Sequence, residues 1–266
     1  MTVPKLQLIG GGKMGEALVG GLIGGCWAAP AELQVVEKLT GRGDELRARF
    51  PDTPVVREPT AAEGHLLAVK PNDVDAACAA LAAVGDRAPV LSIAAGVAAS
   101  RLEAALTPGT PVVRAMPNTP ALLGAGAAAV APGRAASDAD LDWAEGILRS
   151  VGAVVRVDES LLDAVTGLSA SGPAYVFLVV EAMVEAGVLA GLPRQLSETL
   201  AHQTVLGAAR LVVESGQTPE ALRAAVTSPG GTTAAGLREL ERAGVRAAFL
   251  EAVMAATTRS RELGET

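Results

Sequence analysis

The sequence predicts an α/β region followed by an all-helical region, and two patterns support this division. Up to about Val157, short apolar runs alternate with stretches of helical spacing such as Asp73–Val84 and Asp138–Val151. Strands that alternate with crossover helices form a mainly parallel sheet covered on both faces. From Asp158 onward the strand-like runs stop. We therefore predict a doubly wound α/β domain over residues 1–157 and a helical domain over residues 158–266.

Eight strands are predicted in the first region. They are Leu6–Ile9, Leu33–Val36, Pro54–Val56, Leu66–Val69, Val90–Ile93, Val112–Met116, Ala127–Ala131 and Val154–Val157. The strands that begin at Val112 and Ala127 have no helix between them, so antiparallel pairing is expected at that point, because parallel neighbours need a longer crossover.

The second region contains a helix with almost no polar face. Pro173 suits a helix start, because the N–H that proline lacks would have no intrahelical partner there. The helix that follows has few polar residues besides Glu181 and Glu185, so most of its sides must be covered. A helical domain this small is not expected to cover such a helix alone. We infer that it forms a homodimer interface.

Composition narrows the classes of function. The 266 residues are 50% hydrophobic and 2% aromatic, with a formal net charge of −7 and no basic run, so nucleic-acid binding is not expected. Cys26 and Cys78 match no zinc spacing or disulfide framework, which favours a reduced, cytoplasmic compartment. No signal-peptide pattern opens the chain, and the longest uncharged stretch, Ala115–Gly133, is interrupted by prolines and glycines. Neither secretion nor a membrane span is expected.

A glycine-rich turn follows the first predicted strand and precedes a predicted helix, Glu16–Ile23. This is the context that a GxGxxG dinucleotide fingerprint requires, with the phosphates at the positive end of the helix. Gly10 permits the tight turn, Gly12 lets a pyrophosphate approach the backbone, and Gly15 lets the helix pack close to the strand. The predicted cofactor residues of this Rossmann-type loop are Ile9, Gly10, Gly12, Lys13, Met14 and Gly15.

The end of the second strand bears on the choice between NAD and NADP. Glu37 lies where a carboxylate accepts hydrogen bonds from a ribose 2′-OH, which favours NAD. Lys38 and Arg42 follow, and they offer positive charge to a 2′-phosphate. A solvated charge cluster at a strand end is the alternative interpretation.

Other predicted cofactor residues lie at the carboxyl ends of later strands, which line the ligand crevice in open α/β sheets. They are Ala68, Val69, Lys70, Pro71, Ala94, Ala95, Gly96 and Asn118. Two alternatives stay open: Lys70 as an ordinary surface lysine, and Asn118 as a residue that stabilises a turn.

Five segments along nearly the whole chain carry a family resemblance. They are Ile9–Gly15, Ala68–Pro71, Arg114–Pro120, Asp163–Tyr175 and Val226–Thr233. In these segments, and most specifically in the last, the chain resembles the pyrroline-5-carboxylate reductases. Two positions depart from the family pattern: Lys13 stands where the family usually has Asn, and Ala170 replaces a common Gly. The first departure bears on phosphate contacts and cofactor preference.

The resemblance implies reduction of the cyclic imine Δ1-pyrroline-5-carboxylate to L-proline with NADPH or NADH. It also implies a Rossmann domain joined to a helical domain that interlocks with a partner chain, in dimers that often gather into decamers. By resemblance, the hydroxyl of Thr233 is the catalytic group that hydrogen-bonds the ring nitrogen. The implied substrate-binding residues are Glu159, Ser228, Gly230, Gly231, Thr232 and Thr233.

Three of these residues also have a structural interpretation. Thr232 and Thr233 are also residues that cap helices. Glu159 is also a first-turn carboxylate, favoured by the helix dipole.

Three other functions are weighed. A 3-hydroxyacid dehydrogenase would place a catalytic lysine in the helical domain, but all four lysines lie in the first 70 residues. A non-catalytic NADP-binding regulator would tolerate loss of the segment from Ser228 to Thr233, which is intact. A reductase of a different cyclic imine is harder to separate, because ring size is set by the shape of the pocket.

Overall fold

The computed structural model describes residues 3–264, which form one eight-stranded sheet and a set of helices. The strands are β1 (Leu6–Ile9), β2 (Leu33–Val36), β3 (Val55–Val56), β4 (His65–Leu67), β5 (Val90–Ser92), β6 (Val112–Met116), β7 (Gly126–Pro132) and β8 (Gly152–Arg156). Each overlaps the strand predicted for that segment. All eight lie before Asp158, as the change of pattern predicts.

The sheet has the order β3-β2-β1-β4-β5-β6-β7-β8. β1 is the third strand in this order, with Leu8 in parallel register with Val35 on one side and Leu66 on the other. The pair β6–β7 is antiparallel, as the missing crossover helix predicts, and β8 returns parallel to β7. Strand order reverses between β1 and β4, which is the switch point where doubly wound sheets bind ligands. The predicted fold class is confirmed.

Eleven α-helices lie within residues 3–264. They are α1 (Lys13–Gly24), α2 (Thr40–Arg49), α3 (Val74–Val84), α4 (Ala99–Ala105), α5 (Asp138–Arg149), α6 (Leu162–Val165), α7 (Gly172–Leu189), α8 (Arg194–Glu214), α9 (Pro219–Ala225), α10 (Thr232–Arg242) and α11 (Val245–Gly264). Side chains of α1, α2 and α5 form one apolar core against the sheet, and side chains of α3 and α4 form a second. A π-helical turn, Thr166–Ala170, separates α6 from α7.

The chain divides into two compact units. Unit 1 contains the sheet, residues up to Ser171, and the end of the chain from Met254; unit 2 is Gly172–Val253. α11 therefore belongs to unit 2 up to Val253 and to unit 1 beyond it. The predicted domain boundary between residues 157 and 158 lies before this division and stays a prediction.

Unit 2 is helical, and its helices α7 and α8 approach closely. The hydroxyl of Ser197 donates to the carbonyl of Val184 at 2.8 Å, and a Cβ on Gly187 would collide with that serine. Val184 and Ala201 are the buried apolar side chains of this unit, whose residues are all described. Most of the remaining apolar surface of α7 is exposed, including Leu178 at 66%.

One helical stretch of the described chain, Glu159–Leu189, is long and apolar enough to cross a membrane by length and composition alone. A single such stretch is weak support for a membrane span.

Candidate functional site

A cleft of about 450 Å³ opens at the carboxyl ends of β1, β2 and β4. It lies at the point where the strand order reverses, so the topology and the cavity indicate the same site. Eight of the predicted cofactor residues line it: Ile9, Gly10, Gly12, Glu37, Lys38, Ala68, Val69 and Lys70. All of them belong to unit 1.

The glycines of the loop after β1 have the geometry that a dinucleotide needs. Gly10 has a φ of +102°, and a Cβ there would lie 2.7 Å from the carbonyl oxygen of Ala68. A Cβ on Gly15 would collide with the carbonyl of Gly10, so this glycine permits the close packing of α1 on β1. A Cβ on Gly12 would meet nothing within 4 Å. The backbone at Gly12 is therefore open to a phosphate at the start of α1, where N–H groups lack intrahelical partners.

Glu37 and Lys38 form the side of the cleft that follows β2. One carboxylate oxygen of Glu37 accepts the N–H of Gly11 at 3.1 Å, and the other accepts the N–H of Leu39 at 2.9 Å. These bonds fix the carboxylate at the cleft wall. Lys38 is exposed. The structure thus brings together the acidic and the basic candidate, as the sequence suggests. Arg42 does not line the cleft, and its Nε donates to the carbonyl of Gly11 at 2.7 Å.

Other predicted cofactor residues lie outside the cleft lining. These are Lys13, Met14, Gly15, Pro71, Ala94, Ala95, Gly96 and Asn118. The side-chain oxygen of Asn118 accepts the N–H of Ala127 at 2.8 Å, and its amide donates to the carbonyl of Ser169 at 3.2 Å. Asn118 therefore stabilises the loop after β6, which matches the alternative interpretation. Cofactor contacts of these eight residues stay predictions.

The cleft lining also contains residues that the sequence analysis missed. They are Val36, Leu39, Pro59, Asp73, Ala76, Ala77 and Ala80. The three alanines share one face of α3, and their small side chains leave room beside β4. Their spacing within the predicted helix Asp73–Val84 could have indicated that they share a surface, because helical positions three or four apart lie on the same face.

Glu159 has a structural partner on each of two elements of unit 1. One of its carboxylate oxygens accepts the N–H of Ala99, the first residue of α4, at 2.7 Å, and a guanidinium N–H of Arg114 at 2.6 Å. The side chain of Arg114 is 11% exposed. These contacts link α4 and β6, which accounts for a carboxylate at this position. A contact between Glu159 and substrate stays a prediction.

The segment from Ser228 to Thr233 lies in unit 2 and includes the first two residues of α10. Gly230 has a φ of +69°, which glycine adopts without strain, and the N–H of Gly231 donates to the carbonyl of Ser228 at 3.0 Å. Gly231 occupies the N-cap of α10. Thr232 and Thr233 are exposed residues of the first turn, so neither threonine caps the helix.

Two family profiles match this chain. The profile described as pyrroline-5-carboxylate reductase dimerisation matches residues 159–263. A second, described as NADP oxidoreductase, coenzyme F420-dependent, matches residues 5–96, which include the glycine-rich loop and the end of β2.

Full-length relatives and solved structures agree with the first profile. A pyrroline-5-carboxylate reductase from Synechocystis sp. is 46% identical over 98% of both chains. The structure of a pyrroline-5-carboxylate reductase from Coxiella burnetii covers 100% of both chains with a TM-score of 0.93 and 35% identity. The crystal structure of the Plasmodium falciparum pyrroline carboxylate reductase with NADP bound covers 98% of both chains, with a TM-score of 0.82 and 30% identity. The chain belongs to the pyrroline-5-carboxylate reductase family.

Proposed function

We propose that this chain is an NAD(P)H-dependent oxidoreductase that reduces Δ1-pyrroline-5-carboxylate to L-proline, the last step of proline biosynthesis. The observation that carries the proposal is the 46% identity to a reductase of that name over 98% of both chains. The cleft at the switch point of the sheet, with Gly12 open to a phosphate, suits the nicotinamide cofactor that such a reaction needs.

The reaction requires no strong general acid or base from the protein. The reduced nicotinamide supplies the hydride, and the chain must orient the imine carbon toward it. The imine nitrogen is basic enough to be protonated readily, so one positioned hydroxyl suffices. Within the part of the chain that the structure describes, the hydroxyl of Thr233 has no hydrogen-bond partner, so it is available to the ring nitrogen.

The substrate carboxylate needs fixed donors, and the start of α10 provides them. The backbone N–H groups of the first helical turn have no intrahelical acceptor and carry the positive end of the helix dipole. Gly230 and Gly231 leave this end uncovered by side chains. We assign the carboxylate to this turn, with Ser228, Gly230, Gly231 and Thr232 beside it, and we keep Glu159 as a further substrate-binding candidate.

Threonine variants at position 233 test the site. Thr233→Val keeps the shape of the side chain and removes the hydroxyl, whereas Thr233→Ser keeps the hydroxyl. Loss of one hydrogen bond to a charged nitrogen predicts a fall in kcat/KM of about 10- to 100-fold for Thr233→Val, with Thr233→Ser within a few-fold of wild type. The measurement is oxidation of NADPH and NADH with Δ1-pyrroline-5-carboxylate, with proline as the identified product.

Two other results would contradict part of the proposal. Equal rates for Thr233→Val and wild type would remove Thr233 from the mechanism without removing the enzyme. Tight nucleotide binding without turnover would contradict the proposed substrate, and a six-membered cyclic imine would then be the next compound to assay.

The family's dimerisation profile covers residues 159–263, and the chain associates through its helical domain. We propose that two chains associate as a homodimer and that such dimers assemble into a decamer. We also propose that the enzyme is cytoplasmic. The exposed apolar face of α7 supports the dimer, since an isolated chain would leave it in water.

A further inference from the structure

Arg42 lies on α2 beside the glycine-rich loop, but its guanidinium is held by the protein itself. Its Nε donates to the carbonyl of Gly11 at 2.7 Å, and one Nη donates to Glu45, also at 2.7 Å. The other Nη donates to Glu16. Two carboxylates therefore compensate the charge of Arg42, and three of its N–H groups are already used.

Glu16, in the first turn of α1, is a largely buried partner of Arg42. Its side chain is 15% exposed, and it also pairs with Arg49. The hydrogen bond from Arg42 is the largest cause that lowers the pKa of Glu16, and the charges of both arginines act in the same direction. Glu16 therefore remains ionised throughout the neutral range and keeps Arg42 paired.

The pairing of Arg42 affects how the cleft wall at Glu37 can bind the adenosine ribose of a cofactor. Glu37 is fixed there by the N–H groups of Gly11 and Leu39, and the carbonyl of Gly11 is held by Arg42. A ribose 2′-OH can donate to the free lone pairs of the Glu37 carboxylate. A 2′-phosphate would meet a like charge at the same place, with Lys38 as the exposed cation on that wall.

We propose that Glu16 sets a preference for NADH over NADPH by keeping the guanidinium of Arg42 paired beside the glycine-rich loop, which leaves Glu37 as the group that meets the adenosine ribose. Glu16 is a positioning residue that acts through Arg42. This inference rests on the proposed reductase function, and it adds which of the two nicotinamide cofactors the site selects.

The first test is the ratio of kcat/KM for NADH to kcat/KM for NADPH. The wild type gives a ratio of at least about ten, because like charges close together at a binding site are costly. Glu16→Gln lowers this ratio by about three- to tenfold, because the Arg42 guanidinium that it releases gains one partly formed charge-assisted hydrogen bond to the 2′-phosphate of NADPH. The change appears in the KM for NADPH, while kcat and the NADH parameters stay within about twofold of wild type.

A matched control separates this effect from a general loss of an ion pair. Glu145 is also a largely buried carboxylate, 9% exposed, that bridges two arginines, Arg149 and Arg156. It does not line the cleft. Glu145→Gln therefore leaves the cofactor ratio unchanged.

The double variant Glu16→Gln, Arg42→Ala tests whether the effect passes through Arg42. It restores the wild-type ratio, because the released guanidinium is gone. Arg42→Ala alone leaves the ratio unchanged.

Three results would overturn the inference: a wild type that prefers NADPH, an Arg42→Ala variant that loses NADPH selectively, or equal ratios in Glu16→Gln and Glu145→Gln. Dissociation constants for NADH and NADPH, measured by nicotinamide fluorescence without imine, keep this inference separate from the proposed function. A binding ratio that favours NADH without imine turnover would contradict the substrate and leave the cofactor preference standing.

Discussion

The two units of the molecule distribute their apolar residues in opposite ways. In unit 1 the strands and helices enclose apolar cores, with Leu8, Leu66 and Leu91 fully buried. In unit 2 most large apolar side chains are exposed, and Val184 and Ala201 are its buried apolar residues. Since burial of apolar surface is the dominant favourable contribution to folding, unit 1 has its own source of stability and unit 2 depends on another surface. The cleft proposed for the cofactor lies in the unit with its own core.

The largest expected effect is on assembly, and it tests whether unit 2 depends on a partner chain. Leu178→Glu places a carboxylate on the exposed apolar face of α7, where Leu178 is 66% exposed. A charge without a partner in a dimer interface costs several kcal/mol, so we expect a monomer at micromolar concentration by sedimentation velocity. Val3→Glu is the control, because Val3 is 57% exposed but lies in unit 1. A Leu178→Glu variant that remains dimeric would refute this use of the helical face.

A smaller effect concerns the acid stability of unit 1. His65 begins β4 with 1% exposure, and burial lowers its pKa from the ordinary value near 6.5, although Asp86 opposes this shift. Because the folded pKa is the lower one, the unfolded chain binds more protons as the pH falls through 6.5. Stability is therefore full above that pH and is lost below it, by up to about 1.4 kcal/mol per pH unit.

Denaturant unfolding followed from pH 8 to about pH 5 measures this loss, with His65→Gln as the comparison. The variant should be less stable at neutral pH and show a shallower fall in acid. An identical slope in both proteins would mean that another group accounts for the acid sensitivity.

The smallest effect is a difference in the reactivity of two thiols, and it reports whether unit 1 stays closed when the proposed dimer is broken. Cys26 is exposed, whereas Cys78 is buried on α3. Burial, with a smaller contribution from Asp75, raises the pKa of Cys78 to about 11. We expect an alkylating agent to label Cys26 at pH 8 and to label Cys78 only when unit 1 opens.

Peptide mass spectrometry of labelled wild type and Leu178→Glu makes the comparison. Protection of Cys78 in both proteins would show that unit 1 closes without its partner. Labelling of Cys78 in the monomeric variant would mean that the two units depend on one another for stability.

The sequence predicts unit 1 well because periodicity and turn chemistry act locally there. The strands, the helix after Gly12 and the antiparallel pair β6–β7 all follow from short patterns. The candidate site is harder to predict, because it depends on which strand ends become neighbours and which faces of helices turn toward them. Ala94 to Gly96 lie at a strand end two places from β1, outside the cleft lining, whereas Ala76 and Ala80 of α3 line it.

The sequence also does not predict which side chains form hydrogen bonds or ion pairs with each other. Arg42 has the position of a phosphate ligand, but its pairing with Glu16 depends on α1 and α2 lying side by side. The hydrogen bonds of Glu159 to Ala99 and Arg114 likewise join residues far apart in the chain. The π-helical turn before α7 adds a residue to an otherwise regular helix, and the glycines and serines of this stretch do not specify a π-helical turn.

The path of α11 has a consequence for synthesis on the ribosome. Unit 1 includes the residues from Met254 onward, where the hydroxyl of Ser260 donates to Asp163 at 2.7 Å and Gly264 packs close to Gly96. Domains usually fold as units in the order in which they emerge. Here unit 1 is completed only after all of unit 2 has been translated. The apolar helices of unit 2 therefore emerge before the unit that begins the chain is finished, and the nascent protein must keep them from aggregating during that interval.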